Sequence, residues 1–439
     1  MSLGSTTMKA AALPAAVANV QPGVPRRFAV LGAGFGGVSV AWHLLQHTNQ
    51  LAPVCVDLFD ELGVSGGASG ASGGLLHPYN SKGKLLWKGA DGWTAALRLL
   101  AVAEATRISS TTGISSLGGG LGAAEPLAWR RGILRLARQE KHAITFQKNV
   151  KDQNDSSTIN LLRGSEAGFL LPGLVLPEEA SALHIPQAIN IHPQRYLEAL
   201  WVACEEFARH ACIVGSPGTE AVFRRGKVNS LRDLTGDYEA VLVCLGAQAI
   251  LLPELAHKLP ISLCRGVVAK LHAPPQCSEL YESGAPNLLS STWLAAQGER
   301  NVLLGATRDW GSTNSSPSVS DEERSTALGK LFSETKPFYP SISKWEVEGM
   351  QAGLRAMPPR SALGSLPLVG CIDDLVQSSV IRVIFGAPNN NSQSSKTKWW
   401  LLGGLGSRGL IHHAWLGEIL AKAVILNNEC LLPQELKQW

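Results

Sequence analysis

The segment from Phe28 to Asp60 constrains this chain more than any other stretch of its 439 residues. Phe28-Ala29-Val30-Leu31 is an apolar run with the length and character of a buried strand. It passes directly into Gly32-Ala33-Gly34-Phe35-Gly36-Gly37, a G-x-G-x-x-G pattern, and then into Val38, Val40, Ala41, Leu44 and Leu45 at helical spacing. A second apolar run, Val54 to Phe59, ends at Asp60. Each residue type has a physical task. The first glycine permits a tight turn, the second lets backbone approach a pyrophosphate, and the third lets helix and strand pack closely. The phosphates then meet unpaired N–H groups at the positive end of a helix. Asp60, roughly 20 residues further on, is placed to accept hydrogen bonds from an adenosine ribose. A glycine-rich turn of some other α/β protein would explain the turn but not Asp60.

The chain is long enough for two lobes with ample core. No stretch approaches the length of uncharged apolar residues that a membrane span needs, so a soluble protein is expected. Eight scattered cysteines without a C-x-x-C pair point to buried free thiols in a reducing compartment, and no metal site is expected. The net charge of +4 says little, but its distribution is uneven. Seven Lys or Arg residues and one acid, Glu140, lie between Leu127 and Lys151, and Arg224, Arg225, Lys227 and Arg232 form a second cluster. Such clusters are either solvated faces or contacts for a polyanion such as RNA. The first 25 residues contain no Asp or Glu and read as a transit-like segment or a disordered tail, leaving plastid or mitochondrion versus cytoplasm open.

The expected organisation is α/β (α+β), with a discontinuous Rossmann-like nucleotide domain and an inserted antiparallel-sheet substrate domain. Residues 1–27 form the leading segment. The nucleotide domain takes 28–110, 185–261 and 367–439, and the substrate domain takes 111–184 and 262–366. The signals are a helix from about Tyr196, a buried strand within Tyr238–Gly246, strands at Gly266–Leu271 and Asn301–Gly305, and a surface helix over Asp321–Phe332. A loop at Ala387–Lys398, a last strand at Trp399 and a final helix over about Ile411–Ile425 complete the reading.

Three further glycine-rich sites select a flavin over nicotinamide alone. Gly66 to Gly74 places Ala68, Ser69, Ser72, Gly73 and Gly74 where backbone N–H groups and hydroxyls can converge on a phosphate or ring. Gly246-Ala247 leaves a buried strand. Gly404, Gly406, Ser407, Arg408 and Gly409 open the last helix, whose N-terminus would stabilise the negative charge of a reduced flavin.

With these pieces in order, the chain resembles the D-amino-acid-oxidase-like family of FAD-dependent amine oxidoreductases, which includes glycine and sarcosine oxidases. Arg265-Gly266, Gly305-Ala-Thr307, Gly353-Leu-Arg355 and Pro367-Leu-Val-Gly370 extend the match. Within it, Gly132–Lys141, Ala68-Ser-Gly70 and Gly404–Leu410 are similar to the oxidoreductase domain of the bifunctional bacterial enzyme that completes 5-methylaminomethyl-2-thiouridine at the tRNA wobble base. The resemblance is to the oxidoreductase half of that fusion, and no methyltransferase half is expected within these residues. Ala71, Ser72 and Gly73 replace the polar residues usual in that loop, and Arg360-Ser361 stands where an acidic residue is common.

The resemblance implies FAD as cofactor and hydride transfer from the carbon beside a nitrogen. It places Arg355 where the family binds a substrate carboxylate, with a structural ion pair as the competing reading. Arg308 is the second candidate. His77 could face the flavin or be structural, and His412 and His413 lie near the expected ring. The partner is therefore a small-molecule amine or a modified tRNA; a flavin-binding protein without catalysis is a third reading. The exact amine, the electron acceptor and the oligomeric state stay open.

Overall fold

The computed structural model describes residues 23–48, 52–115, 126–137, 139–151, 159–381, 397–437 and 439. The expectations for residues 1–22, for the Gly118–Gly122 run and for most of the 387–398 loop lie outside these.

The first apolar run becomes the strand Arg26–Leu31, flanked by Val54–Asp60 on one side and Ala240–Val243 on the other, all parallel. Glu220–Arg225 and Lys398–Gly403 extend the sheet in the same sense, and Leu368–Cys371 closes one edge antiparallel. A parallel sheet must be covered on both faces. One face carries Val30, Val56, Leu58, Leu242 and Trp400 against the helices Phe35–Leu45, Gly89–Ser115, Pro193–Val214 and Gly409–Ile425. The other carries Ala29, Leu31, Val241 and Trp399 against Leu231, Leu255 and Ile372. Trp399 and Trp400 are thus core residues on opposite faces, as successive strand positions must be. The helix after the glycine loop is buried on most of its circumference, which explains its nearly unbroken apolar sequence.

The second sheet is mixed, and antiparallel except where Asn287–Leu289 runs parallel to Ile133–Leu136. Its long strands are Ser262–His272 and Glu346–Met357, paired along nearly their whole length. One face packs Leu134, Ala269, Leu271, Leu288, Leu294 and Leu304 against Leu331 of the helix Asp321–Thr335 and against Tyr339 and Trp345. Arg265 projects to that same side. It ion-pairs with Glu323 and donates to the carbonyls of Asn314, Ser316 and Ser318, so it is a buried clamp. The opposite face turns toward the glycine-rich segment 66–74: Gln351 donates to the Gly70 carbonyl, and a Cβ on Gly353 would lie 2.7 Å from the Ala68 Cα. Among the described residues no helix is long and apolar enough to cross a membrane.

Candidate functional site

The dinucleotide loop is built as its glycines require. Gly32 adopts φ +99°, and a Cβ there would lie 2.6 Å from the Cys244 carbonyl oxygen. A Cβ on Gly37 would lie 1.7 Å from the Gly32 oxygen, which no adjustment could absorb. Gly34 differs from the simple expectation. Its open side faces the Ser69 hydroxyl, 2.7 Å from where a Cβ would stand. Ser69 Oγ accepts the Phe35 N–H at 3.0 Å, so it fastens the 66–74 loop to the helix start, and its own proton stays available to donate. Gly34, as N-cap, brings no side chain to the orphan N–H groups of the first turn.

Asp60 stands at the carboxyl end of its strand, with both oxygens engaged by backbone. Oδ2 accepts from Ala33 at 2.8 Å, and Oδ1 from Leu62 and Gly63. A carboxylate has about four acceptor positions, so one remains after these three. Asp60 lines a pocket of about 120 Å³ together with Leu31, Glu61, Lys227, Leu245 and Gln248. This is the crevice beyond the carboxyl ends of the strands, where open α/β sheets hold ligands.

The second glycine segment lies between the two sheets. The hydroxyl of Ser72 is buried with no partner among the described residues. A Cβ on Gly73 would meet the Trp293 ring at 2.6 Å, and one on Gly74, at φ +71°, would meet the Ile191 carbonyl at 1.8 Å. Gly246 has φ +57°, and Ala247 packs under Leu354 and Ala356 of the second sheet. Gly404 and Gly406, both at positive φ, let the 403–409 turn fold against Met357 and Pro358, while the Gly406 N–H donates to the Ala356 carbonyl. Gly409 abuts Phe35, a Cβ on Gly36 would meet Leu402, Ser407 is exposed, and Arg408 stands half-buried at the N-cap position of the last helix. Three segments far apart in sequence thus converge on the dinucleotide loop.

Arg355 occupies the face of its strand that meets the 66–74 segment. Its guanidinium donates to the Thr307 carbonyl at 3.0 Å and the Cys264 carbonyl at 3.4 Å, with Cys264 Sγ at 3.6 Å. Among the described residues no carboxylate pairs with it, so the competing ion-pair reading is not what the structure shows. Burial lowers its pKa, as does, more weakly, the nearby charge of Arg308, which is itself exposed. Two cations therefore lie close together, and among the described residues the hydrogen bonds of Arg355 go to carbonyls and a thiol, an arrangement that suits an anion.

The basic segments do not form one surface. Arg130 pairs with Glu104 through two bonds of 2.9 Å, and Arg131 and Arg135 each carry a buried nitrogen without an acceptor among the described residues. Arg224 binds Asp57, and Lys227 lines the pocket at Asp60. The second cluster is nonetheless a solvated face, with Arg224, Arg225, Lys227 and Arg232 all exposed; in the first, Arg130, Lys141, Lys148 and Lys151 are exposed, and Arg131 and Arg135 are the half-buried exceptions among the described residues. His413 packs against Phe35 of the dinucleotide loop, with ring centroids 5.2 Å apart. Nδ1 bonds the Leu410 carbonyl at 2.9 Å and Nε2 the Tyr196 hydroxyl at 2.8 Å, so it is a satisfied core histidine whose pKa burial pushes down to about 4. Among the described residues no group of three or more His, Cys, Asp or Glu could hold a metal ion.

The family model described as DAO, FAD dependent oxidoreductase, matches residues 27–423. The chain belongs to this family. Its cofactor is FAD, and it is an oxidoreductase. Iminodiacetate oxidase from Chelativorans sp. BNC1 is similar at 20% identity, covering 93% of this chain and 98% of its own, with a TM-score of 0.62. Glycine oxidase from Geobacillus kaustophilus is similar at 18% identity over 92% and 96%, TM-score 0.66. L-Proline dehydrogenase from P. horikoshii is similar at 15% over 93% and 95%, TM-score 0.61. No curated protein matches the sequence. The residues present fit FAD. The orphan Ser72 hydroxyl, the helix start whose N-cap glycine has no side chain, and the crevice at Asp60 are features that a dinucleotide would complete.

Two residues of the cleft escaped sequence reasoning. Trp293 fills the space left by two glycines, Gly73 and Gly305, and so walls the cleft between loop and sheet. Its signal is visible only in hindsight, as an aromatic on the strand that pairs with the Gly305 strand. Arg135 belongs to a basic run in the linear sequence, although it sits in an otherwise apolar strand, Ile133–Leu136.

Proposed function

We propose that this family member oxidises the C–N bond of a small amine that bears a carboxylate, with Arg355 as the carboxylate seat and Arg308 at its rim. The observation that carries this reading is the Arg355 guanidinium, half-buried and held by two carbonyls and a thiol without a counter-ion. A guanidinium so placed keeps part of its fork for a bidentate carboxylate. The names of the three similar structures, all enzymes of amino or imino acids, support the same class.

In this reading Gly32, Gly34, Phe35, Gly36 and Gly37 hold the pyrophosphate, and Asp60 takes the ribose with its remaining acceptor position. Ser69, Ser72, Gly73 and Gly74, with Ala68 behind them, close over the ring system. Gly246-Ala247 and Gly404–Gly409 supply its opposite wall, and Arg408 stands at its edge. The bound flavin supplies the hydride acceptor. The chain's own task is orientation: Arg355 fixes the carboxylate, Trp293 bounds the cleft, and the α-carbon is thereby directed toward the ring. Among the described residues Arg355 has no carboxylate beside it to act as a base, and hydride transfer from a neutral amine requires none.

A modified tRNA as substrate draws less support, because Arg130 is paired and Arg131 and Arg135 are partly turned inward. The deciding experiment is anaerobic bleaching of the flavin absorbance. Glycine, sarcosine, L-proline and iminodiacetate are added in turn, followed by tRNA carrying the carboxymethylaminomethyl wobble group. Bleaching by a free amino or imino acid is the expected result. Bleaching by the tRNA alone would replace this reading with the RNA one. A yellow protein that none of them reduces would leave flavin binding without amine oxidation.

A further inference from the structure

Arg135 lies on the cleft face of the second sheet. The strand registers give one continuous row, Arg135–Leu289–Trp293–Gly305–Val268–Gln351, in which each residue is the cross-strand partner of the next. Partners in register project to the same face. Trp293 and Gln351, further along that row, touch Gly73 and Gly70 of the flavin-side loop, so Arg135 faces the same cleft two strands beyond the tryptophan.

Its surroundings are apolar. Ile133, on the same face two residues earlier, packs with Tyr79, Leu75 and Leu289. Among the described residues the buried Arg135 Nε has no acceptor, and none ion-pairs with the guanidinium. Placing a permanent cation in such a site costs several kcal/mol unless something compensates it. His77, which feels the Arg135 charge, adds no acceptor. His77 Nδ1 accepts the Tyr79 N–H at 3.3 Å, and burial together with the Arg135 charge pushes the His77 pKa down to about 3. The ring is therefore neutral with its proton on Nε2, so it too can only donate from its free nitrogen. This end of the cleft offers donors and positive charge, which excludes a cationic ligand group and favours an anionic one.

We propose that Arg135 is a second anion seat, and that the preferred amine carries a carboxylate or phosphate at the end remote from the carboxylate held by Arg355. This rests on the amine-oxidising reading above. The spacing restricts the ligand further. Arg355 and Arg135 are separated by five strand spacings across the sheet and four residues along it, so even with both side chains extended toward each other the seats stand on the order of 10 Å apart. That exceeds the span of a simple iminodiacid. The second anion belongs on an extended arm.

The test uses the flavin-loaded full chain and reads binding by perturbation of the flavin spectrum under anaerobic conditions. The probes are N-carboxymethyl amines on methylene arms of increasing length, ending in carboxylate, phosphate or neutral methyl. The wild-type protein is expected to bind the long-armed dianions on the order of 100-fold more tightly than their methyl-ended counterparts. The carboxylate and phosphate series separate the two sources of negative charge. Arg135→Leu is expected to erase that preference and leave methyl-ended ligands unchanged, and Arg135→Lys to restore part of it. Without ligand, Arg135→Leu is expected to melt no lower than wild type, because it removes an uncompensated buried cation. A lower melting point with the dianion preference intact would make Arg135 structural and overturn the proposal. Equal binding of dianions and methyl-ended amines by the wild type would overturn it too, leaving the amine-oxidase reading standing. A spectrum that no amine perturbs would overturn both.

Discussion

Replacing Arg355 by Gln tests the site at its most exposed assumption. The guanidinium is held by the carbonyls of Thr307 and Cys264 and by no carboxylate. Losing these bonds costs on the order of 1 kcal/mol each, and removing a partly desolvated cation returns a similar amount. The net change in folding stability is expected to stay within about 1 kcal/mol, a shift of a few degrees at most for a chain of this size. Substrate binding should respond far more. Removing the charged partner of a desolvated carboxylate costs about 3 kcal/mol, roughly 100-fold in affinity. Steady-state kinetics with a free amino acid should therefore show KM raised by that factor, and Arg355→Lys, which keeps the charge but loses the fork, should fall between. The companion assay uses amines whose carboxylate is esterified; for these the wild type and Arg355→Gln should be nearly equal. A large loss of thermal stability with KM unchanged would refute the reasoning, as would an equal loss for acid and ester.

Gly37→Ala should yield no flavin-binding protein, since its methyl would sit 1.7 Å from the Gly32 carbonyl oxygen, whereas Gly67→Ala, with nothing within 4 Å, should remain yellow; the visible spectra of the two purified proteins check this. Acid sensitivity should come in part from His413, whose folded pKa of about 4 lies below the ordinary 6.5, so the unfolded chain binds its proton first. Its contribution is fully present above about pH 6.5 and is lost as pH falls toward 4, on the order of 3 kcal/mol in all. Urea unfolding from pH 7.5 to 4.5 should show that slope in the wild type and a shallower one in His413→Gln.

The nucleotide half was legible from local pattern because its constraints are local. A glycine that must avoid the carbonyl five residues back, and an acid at the end of the next strand, are fixed by spacing alone. The strand at Asn301–Gly305 and the helix from Asp321 follow their periodicity to the residue at which each begins. The last helix begins two residues earlier than its apolar spacing suggests, at Gly409, whose lack of a side chain carries no apolar signal; the Arg408 side chain at the N-cap position makes no capping hydrogen bond.

The site was only partly legible. Arg355 could be named because the residues around it carry a family resemblance, but its lack of a counter-ion could not, since that depends on every chain segment packed nearby. Ser69 reads as a phosphate ligand in sequence; folding also makes it the tie between two loops, because the helix that follows Gly34 has no side chain of its own to cap it. Arg130, Arg131 and Arg135 look like one basic patch in a linear string, but the tertiary structure pairs Arg130 with Glu104 and half-buries the other two.

What the sequence determined by itself was a dinucleotide fold, its cofactor class and the order of its glycine turns, because those rest on backbone sterics between residues close in the chain. What only the tertiary structure decided was which charges meet a partner and which face the cleft. That is settled by strand register: Arg135, Trp293 and Gln351 share one row although more than two hundred residues separate the first from the last, and no local rule links them.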